Sequence, residues 1–297
     1  MSLPSDAALG ALAALGSACA WALIGLLVRR LSPVFGSATL NALRSLVGGA
    51  LLLGWVVGTR GTGGLAGVSA WAFGLLALSI VIAVCVGDTV FFESARMLGL
   101  ARAMTLSMTY PLIATLLAAL LVGEPVSASV IAGSALTLGG LALIVIARGR
   151  DGHGDAGRLW PGIGAATLAS VAWAVSVIAL RPPLAEMDAT TAQAVRLPVA
   201  GVVLWATPWT RGAVAQLRTS GPSTRWALAV LGLLTAFSSV LFVAGVKYAG
   251  VAVATVLSST APMFAIPLGM IFLGERMAPA AVVGTAVTVA GIAVLQL

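Results

Sequence analysis

Ten apolar runs, each close to the length that crosses a bilayer, constrain this chain more than any other feature. A spanning helix needs about 20 mostly apolar residues, because lipid offers no partner to an unpaired backbone group. Only 8% of the 297 residues are charged, too few to cover the surface of a water-soluble domain of this length. The sequence therefore predicts an all-α integral membrane protein of ten transmembrane helices. The predicted spans are Ala7–Val28, Thr39–Val57, Trp71–Phe92, Ala101–Val122, Val130–Ala147, Trp160–Leu180, Ala192–Trp209, Trp226–Val246, Val251–Leu273 and Ala280–Leu297.

The second half of the sequence repeats the first at an offset of 151 or 152 residues. Matching pairs are Gly99 with Gly250, Ser107 with Ser258, Pro111 with Pro262, Gly123-Glu124 with Gly274-Glu275, Gly140 with Gly291, Ala20-Trp21 with Ala172-Trp173, and Arg44 with Arg196. Residues 1–150 and 151–297 thus form two repeats of five predicted helices. An odd number of helices inverts the second repeat, and we expect the two to surround a central cavity with alternating access. The alternative is a duplication retained for stability alone.

The order and spacing of these residues resemble EamA-type transporters of the drug/metabolite transporter superfamily. The resemblance rests on Ala20-Trp21, Arg44, Tyr110-Pro111 and Gly123-Glu124, and on Ala172-Trp173, Arg196, Ala261-Pro262 and Gly274-Glu275-Arg276. It implies a multi-pass carrier in a bacterial inner membrane that exports small organic metabolites, such as amino acids, or drugs. It implies no particular cargo.

The residue inventory argues against several other functions. A single His and two Cys, Cys19 and Cys85, cannot build a zinc site, and no nucleotide-binding motif is present. We therefore predict no cofactor, no metal and no enzymatic activity. The basic residues are dispersed between the apolar runs, so we expect a lipid bilayer and a small-molecule substrate as partners, not nucleic acid. Both a monomer and a homodimer are compatible with the sequence.

Two alternative functions stay open at this point. A nucleotide-sugar or phosphometabolite exchanger should need more cations in its cavity than Arg44 and Arg196 provide. A non-transporting membrane scaffold or sensor is the alternative from a different functional class.

Asp88 is the most informative single residue, because a carboxylate within a spanning helix is costly. If the third helix extends to Leu98, Asp88 lies about 15 Å from its end, near the middle of the membrane. A carboxyl group that changes protonation with its exposure would couple transport to protons. The alternative is that Asp88 pairs with an arginine or a backbone amide and only packs. Its equivalent in the second repeat is Ser239.

Equivalent arginines and tryptophans occupy the two repeats. Arg44 and Arg196 lie about two turns inside their helices and could bind an anionic group of the substrate; otherwise they fix the helix ends. Trp21 and Trp173 lie in the middle of their helices, away from the interfaces where Trp collects. We expect them to contact cargo in the cavity, with simple gap filling as the alternative.

Prolines and hydroxyl groups mark the fourth and ninth predicted helices. Pro111 and Pro262 are expected to kink these helices, because each removes a backbone donor. Neighbouring hydroxyl groups would line the cavity or bond between helices; they belong to Ser107, Tyr110, Ser258 and Ser259. Glu124 and Glu275 follow glycine at the helix ends, and we assign them a structural role in solvent-facing turns.

The charge distribution and the resemblance predict opposite orientations. The odd-numbered connections, with Arg44 included, hold twelve of the sixteen Lys and Arg residues and the even-numbered ones hold four. Positive residues favour the cytoplasmic side, so this count places both termini outside. The resemblance implies that both termini lie inside. An even number of helices puts them on the same side in either case.

Overall fold

The computed structural model describes residues 4–61, 63–98, 103, 106–107, 109–148, 156–261, 263–264, 268 and 279–295. The regular structure of these residues is entirely helical. The main helices are α1 (Pro4–Leu31), α2 (Ser37–Arg60), α3 (Ala70–Ile80, continued by π-helical Val81–Asp88 and by Thr89–Leu98), α4 (Tyr110–Leu117, continued by π-helical Ala118–Val122), α5 (Ala128–Arg148), α6 (Ala156–Leu180), α7 (Ala189–Trp205), α8 (Pro222–Ala249), α9 (Val251–Ser258) and α10 (Pro279–Leu295).

Several of these helices are apolar enough to cross a membrane. Five also have the required length: Asp6–Val28, Ser37–Arg60, Ala70–Ala95, Leu159–Ala185 and Pro222–Ala249. Shorter apolar helices cover Tyr110–Val122, Ala128–Leu143 and Val283–Val294. Large apolar side chains point away from the protein, as a lipid-facing surface requires; Leu120, Trp160 and Trp226 are each at least 70% exposed. The ninth predicted span lies partly outside the described residues, so the total of ten stays a prediction.

The second helices of the two repeats, α2 and α7, run in opposite directions. Arg60 at the last residue of α2 pairs with Asp188, the residue that caps the first turn of α7. Further along the same two helices, Gly49 faces Pro198 and Gly201 faces Leu46. The last two contacts exchange under the 152-residue offset, as a two-fold axis between the repeats requires.

The remaining helices obey the same two-fold relation. A Cβ on Gly140 of α5 would lie 2.4 Å from Thr288 Oγ1, and one on Gly291 of α10 would lie 2.4 Å from Thr137 Oγ1. These contacts exchange under the 151-residue offset. Helix α1 packs along α8, and α6 packs along α3, which is the corresponding pair. The predicted inverted repeat is therefore confirmed.

Small residues allow these helices to approach closely. Gly140 and Gly291 each lie against the backbone of the facing helix, where any side chain would collide. In lipid, helices associate through such close packing, because apolar side chains gain nothing by leaving the lipid tails. The glycine-rich composition thus serves contacts between the two repeats.

Candidate functional site

A buried ion pair lies between α2 and α3. The Arg44 guanidinium donates to the Asp88 carboxylate, and the two residues are only 2% and 6% exposed. Arg44 Nε also donates to Asn41 Oδ1 at 2.8 Å, one turn earlier on α2. The Trp21 ring of α1 lies 5.2 Å from Arg44 Cζ, in cation–π range. Charge, hydrogen bond and aromatic ring together hold this guanidinium in one orientation.

The second carboxylate oxygen of Asp88 connects the two repeats. It accepts a hydrogen bond from Trp173 Nε1 of α6 at 2.9 Å. Gly87 makes this approach possible, because a Cβ there would lie 2.7 Å from Trp173 Cδ1 and Nε1. The Trp173 ring also packs against Phe91 at 5.3 Å and against Tyr110 at 5.7 Å between ring centroids. An aromatic wall therefore flanks the ion pair.

Asp88 is placed by an unusual stretch of α3. Residues Val81–Asp88 are π-helical, and Asp88 is the last of them. A π-helical turn holds one more residue than an α-helical turn, and such turns are frequent at functional sites. No feature singled out in the sequence predicted this stretch.

Arg196 of α7 occupies the position equivalent to Arg44 but has different partners. Its Nε donates to Ser79 Oγ at 3.0 Å, and its Nη1 donates to Gln193 Oε1 at 3.1 Å. Gln193 in turn donates to the Ser239 carbonyl at 3.0 Å. Arg196 is 3% exposed and forms no salt bridge within the described part of the chain. Its charge does interact with that of Asp88 through space.

The predicted hydroxyl residues divide into two groups. The Tyr110 hydroxyl donates to the Thr255 carbonyl of α9 at 3.1 Å and so joins the repeats, and Ser259 Oγ donates to the same carbonyl at 2.8 Å. Ser107 and Ser258 donate to carbonyl groups four residues earlier in their own segments, at 2.7 and 2.6 Å. Tyr110, which packs against Trp173, and Ser259 therefore meet at one carbonyl, whereas these bonds of Ser107 and Ser258 are local.

One of the sequence predictions, that for Glu124, needs revision, and the kink at Pro111 stays a prediction. Pro111 is the second residue of α4 and follows a turn at Thr109, before which residues 106–107 are helical. Pro262 and Glu275 lie outside the described residues. Glu124 does more than shape a turn, because its carboxylate accepts from Val251 N at the start of α9 and pairs with Arg181 at 3.3 Å.

Ion pairs also join the repeats at one end of the helices. Asp188 accepts from Arg60 and from the backbone amides of Thr190 and Thr191, at 2.9 and 3.2 Å for the amides. Burial alone would raise the pKa of Asp188, but the hydrogen bonds and the Arg60 charge lower it to about 2. Glu124 and Arg181 lie at the same end, since they follow α4 and α6.

Sequence reasoning missed Asn41, Ser79 and Gln193. The signal that could have found two of them is a polar amide three residues before each arginine, one turn away on the same helix face. Ser79 carries no such signal, because only the packing of α3 against α7 brings it to Arg196.

The buried charged residues Arg44, Asp88 and Arg196 are called the buried cluster below. The fold and this cluster define a helical membrane protein of two inverted repeats. The model of the EamA-like transporter family matches residues 8–146 and 160–297, and the chain belongs to this family. It is thus a multi-pass membrane transporter. A protein of Archaeoglobus fulgidus described as an uncharacterized transporter is 26% identical over 223 residues, covering 75% of this chain and 76% of that protein. A solved crystal structure matches with a TM-score of 0.78 at 21% identity, covering 97% of this chain and 98% of the other, which shows a shared fold.

Proposed function

We propose that this protein is a secondary active transporter of the cell's inner membrane that exports small organic metabolites, amino-acid-like or drug-like, by alternating access. One observation carries the proposal: the buried Arg44–Asp88 pair, flanked by Trp21 and Trp173 from different repeats. Charged groups inside a membrane protein are costly and mark substrate or ion pathways. Aromatic faces beside them suit the apolar part of an organic solute.

Contacts between the repeats support an alternating cycle. The Trp173–Asp88 bond and the Arg60–Asp188 pair each join one repeat to the other. Rocking of the repeats would break the pair at the helix ends and open that side. The same movement would separate Trp173 from Asp88 and expose the cluster to solute.

Asp88 is the proposed proton carrier in this cycle. A proton on its carboxylate removes the charge that holds the Arg44 guanidinium. Protonation would therefore release Arg44, and deprotonation would restore the pair. Because Asp88 contacts groups of both repeats, its protonation state would bias the two orientations differently.

The test is flux in proteoliposomes that contain only this protein. A library of amino acids, metabolites and drugs is screened by counterflow, and the hits are then driven by a pH gradient. We expect Asp88→Asn to retain counterflow and to lose stimulation by the gradient. Glu186→Gln is the matched control, because it makes the same chemical change at an exposed residue outside the cluster. Gradient-driven uptake by Asp88→Asn would defeat proton coupling.

Flux also separates the alternative functions. A scaffold or sensor would show no saturable flux for any compound. A phosphometabolite exchanger is less favoured, because Asp88 already neutralises one of the two buried guanidinium groups.

A further inference from the structure

The buried cluster carries more positive than negative charge. Arg44 and Arg196 come from equivalent positions, and within the described residues Asp88 is the one carboxylate that interacts with them. Its equivalent in the second repeat, Ser239, has no charge. Among the residues that the structure describes, the cluster therefore holds two guanidinium groups against one carboxylate, a net charge of +1 in the interior of a membrane protein.

The two arginines differ in how far their charge is satisfied. Arg44 has a carboxylate, a side-chain amide and an aromatic face around it. Within the described part of the chain, Arg196 has two hydrogen bonds, both to neutral side chains, those of Ser79 and Gln193. A guanidinium has five N–H donors, and a buried cation without a direct counter-ion is costly. An anion is consequently more strongly favoured beside Arg196 than beside Arg44.

The surroundings of Arg196 hold it ready for such an anion. Gln193 fixes the guanidinium from one side and is itself fixed by its bond to the Ser239 carbonyl. Ser79 is fully buried, and its backbone carbonyl accepts from Ser176 of α6 at 2.7 Å. A guanidinium held in one orientation loses little freedom when it binds a carboxylate through two parallel hydrogen bonds.

We propose, on the basis of the transport function above, that Arg196 binds one anionic group of the cargo and selects substrates that carry a carboxylate. One bound carboxylate makes the cluster electrically neutral. Arg44 then serves Asp88, and the equivalent arginine serves the substrate. The two repeats carry arginine at the same position, but the two arginines have different roles. Arg44 pairs with Asp88 and Arg196 binds the substrate, because only the first repeat has the aspartate.

The experiment compares matched compounds in proteoliposomes. Counterflow is measured for alanine, leucine and phenylalanine, for the primary amide of each, and for the corresponding amine that lacks the carboxylate. We expect the wild-type protein to prefer the acid over its amide by about 10-fold or more, as the loss of a charged hydrogen bond implies. Arg196→Gln should remove this preference by weakening the acid about 10- to 100-fold while leaving the amide nearly unchanged.

Two further variants complete the design. Arg196→Lys keeps the charge without the two-pronged geometry, so an intermediate preference is expected, and it serves as well if the glutamine variant folds poorly. Arg211→Gln is the matched control, because Arg211 is exposed in the connection between α7 and α8. An unchanged preference for the acid in both Arg196 variants would overturn this inference. Equal transport of acid and amide by the wild-type protein would overturn it too, yet leave the transport function intact. Absence of saturable flux for all nine compounds would instead contradict the proposed transport of amino-acid-like solutes.

Discussion

Replacement of Asp88 by Asn should destabilise the protein more than replacement of Arg44 or of Arg196. Asn keeps the size of Asp and can still accept from Trp173. Asn carries no charge, so the Arg44 guanidinium loses its counter-ion and the Arg196 charge loses the attraction of the same carboxylate. The two arginines are only 2% and 3% exposed. Removing one partner of a buried ion pair costs about 3–5 kcal/mol, and this is the loss that we expect for Asp88→Asn.

Arg196→Gln should cause the smallest loss of stability among the three substitutions. It leaves the Arg44–Asp88 pair intact and reduces the net charge of the cluster from +1 to zero. The loss is confined to two hydrogen bonds with neutral partners, about 1–2 kcal/mol in total. Arg44→Gln should lie between the two limits, because Asp88 keeps its interaction with the Arg196 charge.

The assay is thermal unfolding of each purified variant in one detergent, followed by intrinsic tryptophan fluorescence. One kcal/mol shifts the midpoint of a domain of 150–250 residues by about 2–4 °C. We expect a decrease of about 6–20 °C for Asp88→Asn and of about 2–8 °C for Arg196→Gln. A midpoint for Asp88→Asn equal to or above that of Arg196→Gln would refute the idea that the buried Arg44 guanidinium depends on Asp88 as its counter-ion.

Three further predictions concern other parts of the structure. Asp188 has a pKa of about 2 in the folded protein, below its value of about 3.9 in an unfolded chain, so its stabilising effect is complete above about pH 5. That effect is lost as the pH falls towards 2, and Asp188→Asn should flatten this acid dependence of the unfolding midpoint. Gly140→Ala should cost about 1–3 kcal/mol, since its Cβ meets the backbone of α10, whereas Gly139→Ala, with no atom within 4 Å, should be neutral or slightly stabilising. Gly87→Ala should displace the α6 indole and lower the rate of transport, whereas Gly74→Ala, whose Cβ would meet no atom within 4 Å, should leave it unchanged.

Residue patterns alone determined the class and the symmetry of this protein. Ten long apolar runs with few charges indicate a membrane protein, because such a chain has too few charged residues to cover a water-exposed surface. The runs are predicted to be helical, because lipid offers no partner to unpaired backbone groups. A repeat of five helices must be inverted relative to its copy, because an odd number of crossings ends on the opposite side. These inferences use only length, polarity and counting, which do not depend on how the helices pack.

The charged residues of the candidate site could also be identified from the sequence, because a charged side chain within a membrane-spanning run is energetically costly. Arg44, Asp88 and Arg196 are charged residues in apolar runs, and all three are buried in one cluster. The duplication marked the two arginines as equivalent but offered no means of telling which one pairs with Asp88.

Only the tertiary structure decided that assignment. Arg44 and Asp88 are 44 residues apart, and Trp173 is 85 residues from Asp88, so their contacts depend on helix packing and not on local spacing. The π-helical stretch of α3 places the aspartate, and Gly87 lets the indole approach it. The sequence predicted Glu124 only as a residue of a turn. In the structure its carboxylate accepts from the first backbone amide of α9, because the end of α4 packs against this helix of the other repeat. The duplication places Arg44 and Arg196 at equivalent positions. The packing around Asp88, which has no equivalent carboxylate in the second repeat, gives the two arginines different partners.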